Sequence, residues 1–495
     1  MPPLARLTPF TPYAVLLLLT VGLTLAGIFT RAFESLALFW PVNAILLGLL
    51  LRHPPLARPL GWGLLYLGML ATDIATGNGW EKALWLNLCN LGLILVGWLL
   101  LRRQSRAVLR LAQPQGLLLL FLACVSGAGV AATLASLESS GWTVWLIWFG
   151  EQFSTGLLLL PAILSAPDHP WRSLRYLLRR ITTADLWPLL ALGLALAAML
   201  LVGGPGAVVF PLLPLLWCAM RFRPFVVALL GLVSGVTEVL MTAGNLAHFG
   251  VLNDGASVDT LTSARLGIAI LVLGPLWVAS VNTLNRRLMA RLYRRANHDF
   301  LTGTLNRSAL SQRAEELLEH RRRHSDEPPV AVLLLDLDHF KLINDRHGHA
   351  TGDRVLRSFA RLLHEQLRQQ DLLARLGGEE FAVVLPGIAL DEARLIAERL
   401  RRRVETMILA TNDGESLHVT VSIGVSQLRP EDDDGSLDQV LERADEALYR
   451  AKANGRTRRA QRRRGARAAS TLSTAWARPL ERAPFQPVRG CGLSS

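Results

Sequence analysis

The chain has 495 residues, of which 51% are apolar, with a formal charge of +13 and a mean hydropathy of +0.32. That length accommodates two or more domains, and that hydropathy excludes an ordinary soluble protein. The basic charge does not make this a nucleic-acid binder, because the arginines lie in short loops between apolar runs and in the C-terminal tail, not on one domain face. The four cysteines, Cys89, Cys124, Cys218 and Cys491, form neither a disulfide framework nor a metal spacing.

Ten apolar segments come first: 10–29, 36–51, 60–76, 83–101, 116–135, 142–164, 186–203, 206–220, 225–247 and 265–284. Several approach the length of about 20 residues needed to cross a bilayer. Segments 36–51 and 206–220 are short and carry Pro41, Pro211 and Pro214. No small-residue cleavage site follows the first segment, so it is predicted to be a retained span. Cations cluster before the first segment (Arg6) and in alternate loops (Arg52 and Arg58; Arg102, Arg103, Arg106 and Arg110; Arg172, Arg175, Arg179 and Arg180; Arg221 and Arg223; Arg286, Arg287, Arg291, Arg294 and Arg295), while the other loops hold Arg31, Lys82 and Arg265. This bias predicts an even number of spans with both chain ends in the cytoplasm. Asp73, Glu151 and Glu238 fall inside spans, where ionisable groups serve function by default; the alternative is that Asp73 sits near the interface and the two glutamates bond neighbouring helices. A transporter reading of this half rests on the same residues.

Asn285 to His298 carries five arginines, with Leu284, Leu288 and Leu292 at four-residue spacing. It reads as a helix continuing from the last span, suited to an anionic lipid surface or to signalling between domains.

The C-terminal half alternates its periods. Helix is expected over 308–323, strand over 330–335, a short helical element through Asp345, and a longer helix marked by Val355, Leu356, Phe359, Leu362 and Leu363. A hairpin around Gly377-Gly378 leads into the apolar run Phe381 to Leu385. Helix 390–404, strand 418–425 and helix 437–453 complete a mixed α/β sheet. Asp336 closes the buried strand, where an acid is costly unless it is paired or binds a cation. Glu379 on a neighbouring segment supplies the other half of a hard-cation site, since Mg²⁺ takes one or two carboxylates plus phosphate oxygens. Adjacent strand residues face opposite ways, so Glu379 and Glu380 are expected to do different jobs. The alternatives are a helix N-cap for Asp336 and solvated hairpin acids for the glutamates.

Five ordered stretches go further. Asp299-Phe-Leu-Thr-Gly-Thr-Leu-Asn-Arg307, Asp336-Leu-Asp-His-Phe-Lys-Leu-Ile-Asn-Asp345 with Gly348-His-Ala-Thr-Gly-Asp353, Gly377-Gly-Glu-Glu-Phe381, Val421-Ser-Ile-Gly-Val425 and Ala444 to Arg456 together resemble the GGDEF family of diguanylate cyclases, in its GGEEF form. Trp40-Pro41 with Asn43 resembles the MASE-type membrane sensory domains. The resemblance implies a polytopic all-α membrane domain (1–284), a signalling helix (285–298), a palm-like α/β cyclase domain (299–456) and a disordered basic tail (457–495). It implies synthesis of cyclic di-GMP from two GTP in a bacterial inner membrane.

By that resemblance, Asp336, the carbonyl of Leu337 and Glu379 hold Mg²⁺, with Mn²⁺ as the alternative ion. Glu379 helps deprotonate the attacking hydroxyl, and Glu380 is the weaker claimant to that role. Lys341, Lys452 and Arg456 neutralise phosphates, which the backbone at Phe340 and Gly378 admits. Asn344 and Asp353 read guanine, with His349 beside them. Arg368, Asp371 and Arg399 form an inhibitory site for the product. Joining two GTP molecules implies a symmetric homodimer. The family's closing strand is expected to be replaced here by the basic run Thr457 to Arg464.

Overall fold

A computed structural model of the chain describes residues 11–29, 39–138, 141–169, 172, 175, 182–203, 205–248, 255–322, 329–410, 416–428, 437–453 and 460–461. The chain divides into two compact units, Met1–Arg291 and Leu292–Ser495.

In the first unit each of the ten apolar segments meets a helix: α1 (Thr11–Phe29), α2 (Val42–Arg52), α3 (Pro59–Ala75), α4 (Trp80–Leu101), α5 (Pro114–Glu138), α6 (Trp142–Ser165), α7 (Thr183–Val202), α8 (Leu212–Arg221), α9 (Pro224–His248) and α10 (Gly255–Asn297). Among the described residues, seven of these are long and apolar enough to cross a membrane. The three others, α2, α3 and α8, are shorter. Proline stands at the start of each of them, at Pro41, Pro59 and Pro211, where its missing N–H costs no helical hydrogen bond.

Polar groups inside this apolar bundle are bonded across helices. Asn43 Nδ2 donates to Asn90 Oδ1 at 2.7 Å and to Gln152 Oε1 at 2.9 Å, joining α2, α4 and α6. Asp73, near the end of α3, accepts from Asn78 Nδ2 and Asn87 Nδ2 at 2.9 and 2.7 Å. Glu238 is buried on α9 with no ion pair among the described residues.

The second unit is a mixed sheet with helices on both faces. Its elements after α10 are β1 (Leu305–Asn306), α11 (Arg307–Arg322), β2 (Val330–Leu337), α12 (Phe340–His347), α13 (His349–Gln366), β3 (Leu372–Gly377), β4 (Glu380–Pro386), α14 (Leu390–Glu405), β5 (Ile408–Ala410), β6 (Ser416–His418), β7 (Val421–Gln427), α15 (Leu437–Ala453) and β8 (Ala460–Gln461). The six-stranded sheet runs β1-β3-β4-β2-β7-β8, with β5 and β6 as a separate pair. The expected strand 418–425 is thus two elements, β6 and β7. A closing strand does exist: Ala460 and Gln461, within the basic run, pair in parallel with Gly424 and Val425. Backbone hydrogen bonds need no apolar side chains, so a basic stretch can close a sheet edge.

All eight residues of β2 are buried, and they alternate between two cores. Leu333, Leu335 and Leu337 join the core that includes Phe359 of α13 and Leu400 of α14. Val330, Val332 and Leu334 join the core of α11 and α15. This is the period-2 geometry of a strand covered on both faces. It decides where the acids point.

Candidate active site

Asp336 follows Leu334 by two residues and therefore takes the α15 face of the sheet. It is 7% exposed. Its Oδ2 lies 2.7 Å from Nζ of Lys452 on α15, so in this structure the lysine's partner is the acid itself. On the other side, the antiparallel register sets Glu380 directly opposite Asp336. β4 begins one residue before its apolar run, at Glu380, and leaves Glu379 in the turn. The expected division of labour is thereby refined: Glu380 shares the face of Asp336, and Glu379 reaches the acid from the turn above it.

The electrostatics agree with this crowding. Burial, and then the Asp336 charge, push the carboxyls of Glu379 and Glu380 above the usual carboxylate range, while Lys452 pulls both back. Asp445, also on α15, is raised by burial and by Asp336. Like charges held this close favour a counter-cation. Among the described residues no cluster of three or more His, Cys, Asp or Glu side chains has ligand geometry. A hard cation that takes one or two carboxylates, a carbonyl and phosphate oxygens does not require one, so the donor set suits Mg²⁺.

The turn that carries Glu379 is shaped by Gly378, whose φ of +50° is a left-handed value that suits glycine. A register shift between Arg375 and Gly377 marks a bulge there. Arg375, which the sequence reading passed over, holds this turn. It donates to the Gly378 carbonyl through Nη2 at 2.6 Å and Nε at 2.9 Å, and pairs with Asp299.

Next to Asp336, the chain leaves β2 through His339, in the left-handed region at φ 59°, and enters α12. No side chain caps α12, which leaves its first N–H groups available to an anion. Phe340 is buried at that helix start, while Lys341 is exposed one residue on. Asn344 on α12 lies against the first turn of α13: a Cβ on Gly352 would stand 1.9 Å from Asn344 Oδ1. The next residue is Asp353, so the two expected guanine readers stand at one helix junction. His349 is exposed at the start of α13. Arg456 lies outside the described residues.

Arg368, Asp371 and Arg399 come together. They line a groove of about 370 Å³ with Gln366, Glu392 and Leu395. Arg368 N–H donates to Asp371 Oδ2 at 2.7 Å, and Arg399 Nη2 donates to the Gln366 carbonyl at 3.1 Å. Burial raises the Asp371 carboxyl, partly offset by the Arg368 N–H and by the charges of Arg368 and Arg399. Its Oδ1 is buried without a hydrogen-bond partner among the described residues.

One further residue was missed. Asp338, 5% exposed, accepts from Ser422 Oγ at 2.7 Å and Thr420 Oγ1 at 2.8 Å. The available signal was a pair of hydroxyls two residues apart leading into an apolar strand.

The mixed sheet thus carries clustered carboxylates at the end of its central strand, beside a helix start with no side-chain cap. The family model described as "Diguanylate cyclase, GGDEF domain" matches residues 296–458. The chain is 34% identical over 439 residues to the probable diguanylate cyclase DgcF of Escherichia coli O157:H7, covering 86% of this chain and 90% of that one. It is 45% identical over 159 residues to the response regulator PleD of Caulobacter vibrioides, covering 32% of this chain and 34% of that one. Among solved structures, the coiled coil and GGDEF domain of DgcB from Caulobacter crescentus in complex with c-di-GMP is 32% identical with a TM-score of 0.33, covering 35% of this chain and 89% of that one. The chain belongs to the GGDEF family of diguanylate cyclases. Its N-terminal helices are consistent with a membrane sensory domain.

Proposed function

We propose that the chain joins two molecules of GTP into cyclic di-GMP with release of pyrophosphate, at a site built from Asp336, the Leu337 carbonyl and Glu379. The observation that supports this reading most is the crowding of Asp336, Glu379 and Glu380 where β2 and β4 end side by side. Bound Mg²⁺ or Mn²⁺ would neutralise the phosphate charge there. Glu379 would take the proton of the attacking 3′-hydroxyl, with Glu380 in support. Lys452 would hand Asp336 over to the ion and turn its ammonium to the phosphates, together with Lys341 and Arg456. The N–H groups at Phe340 and the open backbone of Gly378 would admit the phosphates. Asn344 and Asp353, with His349 nearby, would bind guanine.

One site holds one GTP, so the reaction calls for two copies of the domain facing each other about a two-fold axis. The membrane domain, 1–284, would govern that meeting through the helix 285–298, whose arginines also suit anionic lipid. The unpartnered Asp371 Oδ1, with Arg368 and Arg399, supports product feedback in the groove of α14. The positive loops support a bacterial inner-membrane location with both the N-terminus and the cyclase domain, 299–456, in the cytoplasm.

The test is GTP turnover by the purified full chain with Mg²⁺, read as cyclic di-GMP and pyrophosphate. Asp336→Ala and Glu379→Ala are each expected to cost roughly 100-fold or more. Undiminished turnover in those two variants refutes the site.

A further inference from the structure

We propose that Asp338 is a positioning residue for the metal and phosphate machinery, acting through a clamp on the entry to β7 made by Thr420 and Ser422. The inference rests on the reading of Asp336, Leu337 and Glu379 as the cation site.

Three hydrogen bonds make the clamp. The Asp338 N–H donates to the Thr420 carbonyl at 3.0 Å, and its two carboxylate oxygens accept from the Thr420 and Ser422 hydroxyls. Both lone-pair-bearing ends of the carboxylate are therefore held by different residues, which fixes its rotation as well as its position.

The backbone bond has a geometric consequence. In a planar trans peptide, the carbonyl and the following N–H point in opposite directions. Because the Asp338 N–H points toward Thr420, the Leu337 carbonyl points away from β7. The Leu337 N–H donates toward the Glu379 carbonyl at 3.4 Å, which marks that opposite side as the Glu379 side. The clamp thus aims the Leu337 oxygen toward the segment that bears the second acid.

The following residue, His339, has a positive φ and needs a fixed point from which to turn. Asp338 supplies it, and α12 then opens with Phe340 and Lys341. A single buried residue, through its N–H and its carboxylate together, consequently sets both the carbonyl ligand and the start of the phosphate-binding helix. Hydroxyl donors serve better than an arginine here, since they hold the carboxylate without adding a positive charge beside the ion.

The experiment uses the full chain in nanodiscs with a non-cleavable α,β-methylene analogue of GTP, and counts free Mn²⁺ by electron paramagnetic resonance. Thr420→Val/Ser422→Ala keeps Asp338 but removes both hydroxyl donors. It is expected to weaken Mn²⁺ binding about tenfold, as removal of a supporting hydrogen bond behind a metal ligand does. Thr420→Ser, which retains the hydroxyl, is expected to bind Mn²⁺ as the unaltered chain does, and cyclic di-GMP binding at the Arg368 groove is expected to survive in all variants. Asp338→Asn serves as the second variant should the double one fail to fold. Unchanged Mn²⁺ affinity in the folded clamp variants overturns the proposal, provided Asp336→Ala loses it. Unchanged affinity in Asp336→Ala as well overturns the underlying cation site instead. Loss of Mn²⁺ and cyclic di-GMP binding together reduces the clamp to a folding element and also overturns the proposal.

Discussion

Arg375 Nη1 stands 3.1 Å from Asp299 Oδ1, with side-chain exposures of 13% and 15%, while the same guanidinium holds the Gly378 carbonyl. The first residue of the cyclase signature is thereby joined to the turn that carries Glu379. Burial pushes the Asp299 carboxyl up, but bonds from Thr302 and Arg375 outweigh it and hold the group below its usual range. A carboxyl depressed in the folded state stabilises above its unfolded value and loses that contribution as pH falls through its folded value. Asp299→Ala should therefore cost about 3 kcal/mol near neutral pH, as broken buried pairs do. Denaturation at a series of pH values should show this difference shrinking in acid. Turnover should fall as well, because the Gly378 anchor loosens.

Glu379 and Glu380 have the opposite sign. Their raised carboxyls, caused by burial and then by Asp336, oppose folding at neutral pH, and protonation or a cation relieves this. Without divalent metal, Glu380→Gln and Glu379→Gln should each raise the melting midpoint by about 2–4 °C. Added Mg²⁺ should raise the midpoint of the unaltered chain, and that gain should fade as pH drops through the glutamate range. A thermal scan with and without Mg²⁺ at several pH values checks both statements.

Arg368 reaches Glu392 at 3.4 Å and lines the same groove as Arg399. Arg368→Ala should relieve inhibition by added cyclic di-GMP, raising the inhibitory concentration about tenfold, the worth of one hydrogen bond to a charged group. Initial rates in the absence of product should stay near those of the unaltered chain.

Two glycines permit close packing that alanine cannot. A Cβ on Gly424 would lie 2.0 Å from the Ala444 carbonyl oxygen and 2.6 Å from the Leu448 nitrogen, both backbone atoms of α15. Gly424→Ala should destabilise the cyclase unit by about 1–3 kcal/mol or more, measured by chemical denaturation. A Cβ on Gly352 would meet side chains instead, the end of Asn344 at 1.9 Å and Phe340 Cζ at 3.2 Å. Gly352→Ala should displace that amide and raise the KM for GTP with little loss of stability, which steady-state kinetics would show.

Much of this was legible in the chain itself. The unbroken run Val330 to Leu335 announces a strand covered on both faces, and that is where the central acid emerges. The ten apolar segments each mark a helix. Four features were not legible. Glu380 shares a face with Asp336 because of strand register, a property of two segments rather than one. β8 forms from Ala460 and Gln461 through main-chain bonds to which side-chain polarity is indifferent. The Asp338 clamp and the Asp299–Arg375 pair join residues 82 and 76 positions apart, beyond the reach of any local pattern.

The sheet order gives the two acids unequal backing. Asp336 is on a strand whose amides are bonded on both flanks and whose every side chain is covered, so deuterium should enter there last. Glu379 is on a tight reversal beside a bulge, where exchange should be quick. One jaw of the candidate site is an anvil, and the other keeps its place by the grip of the Arg375 guanidinium on the turn.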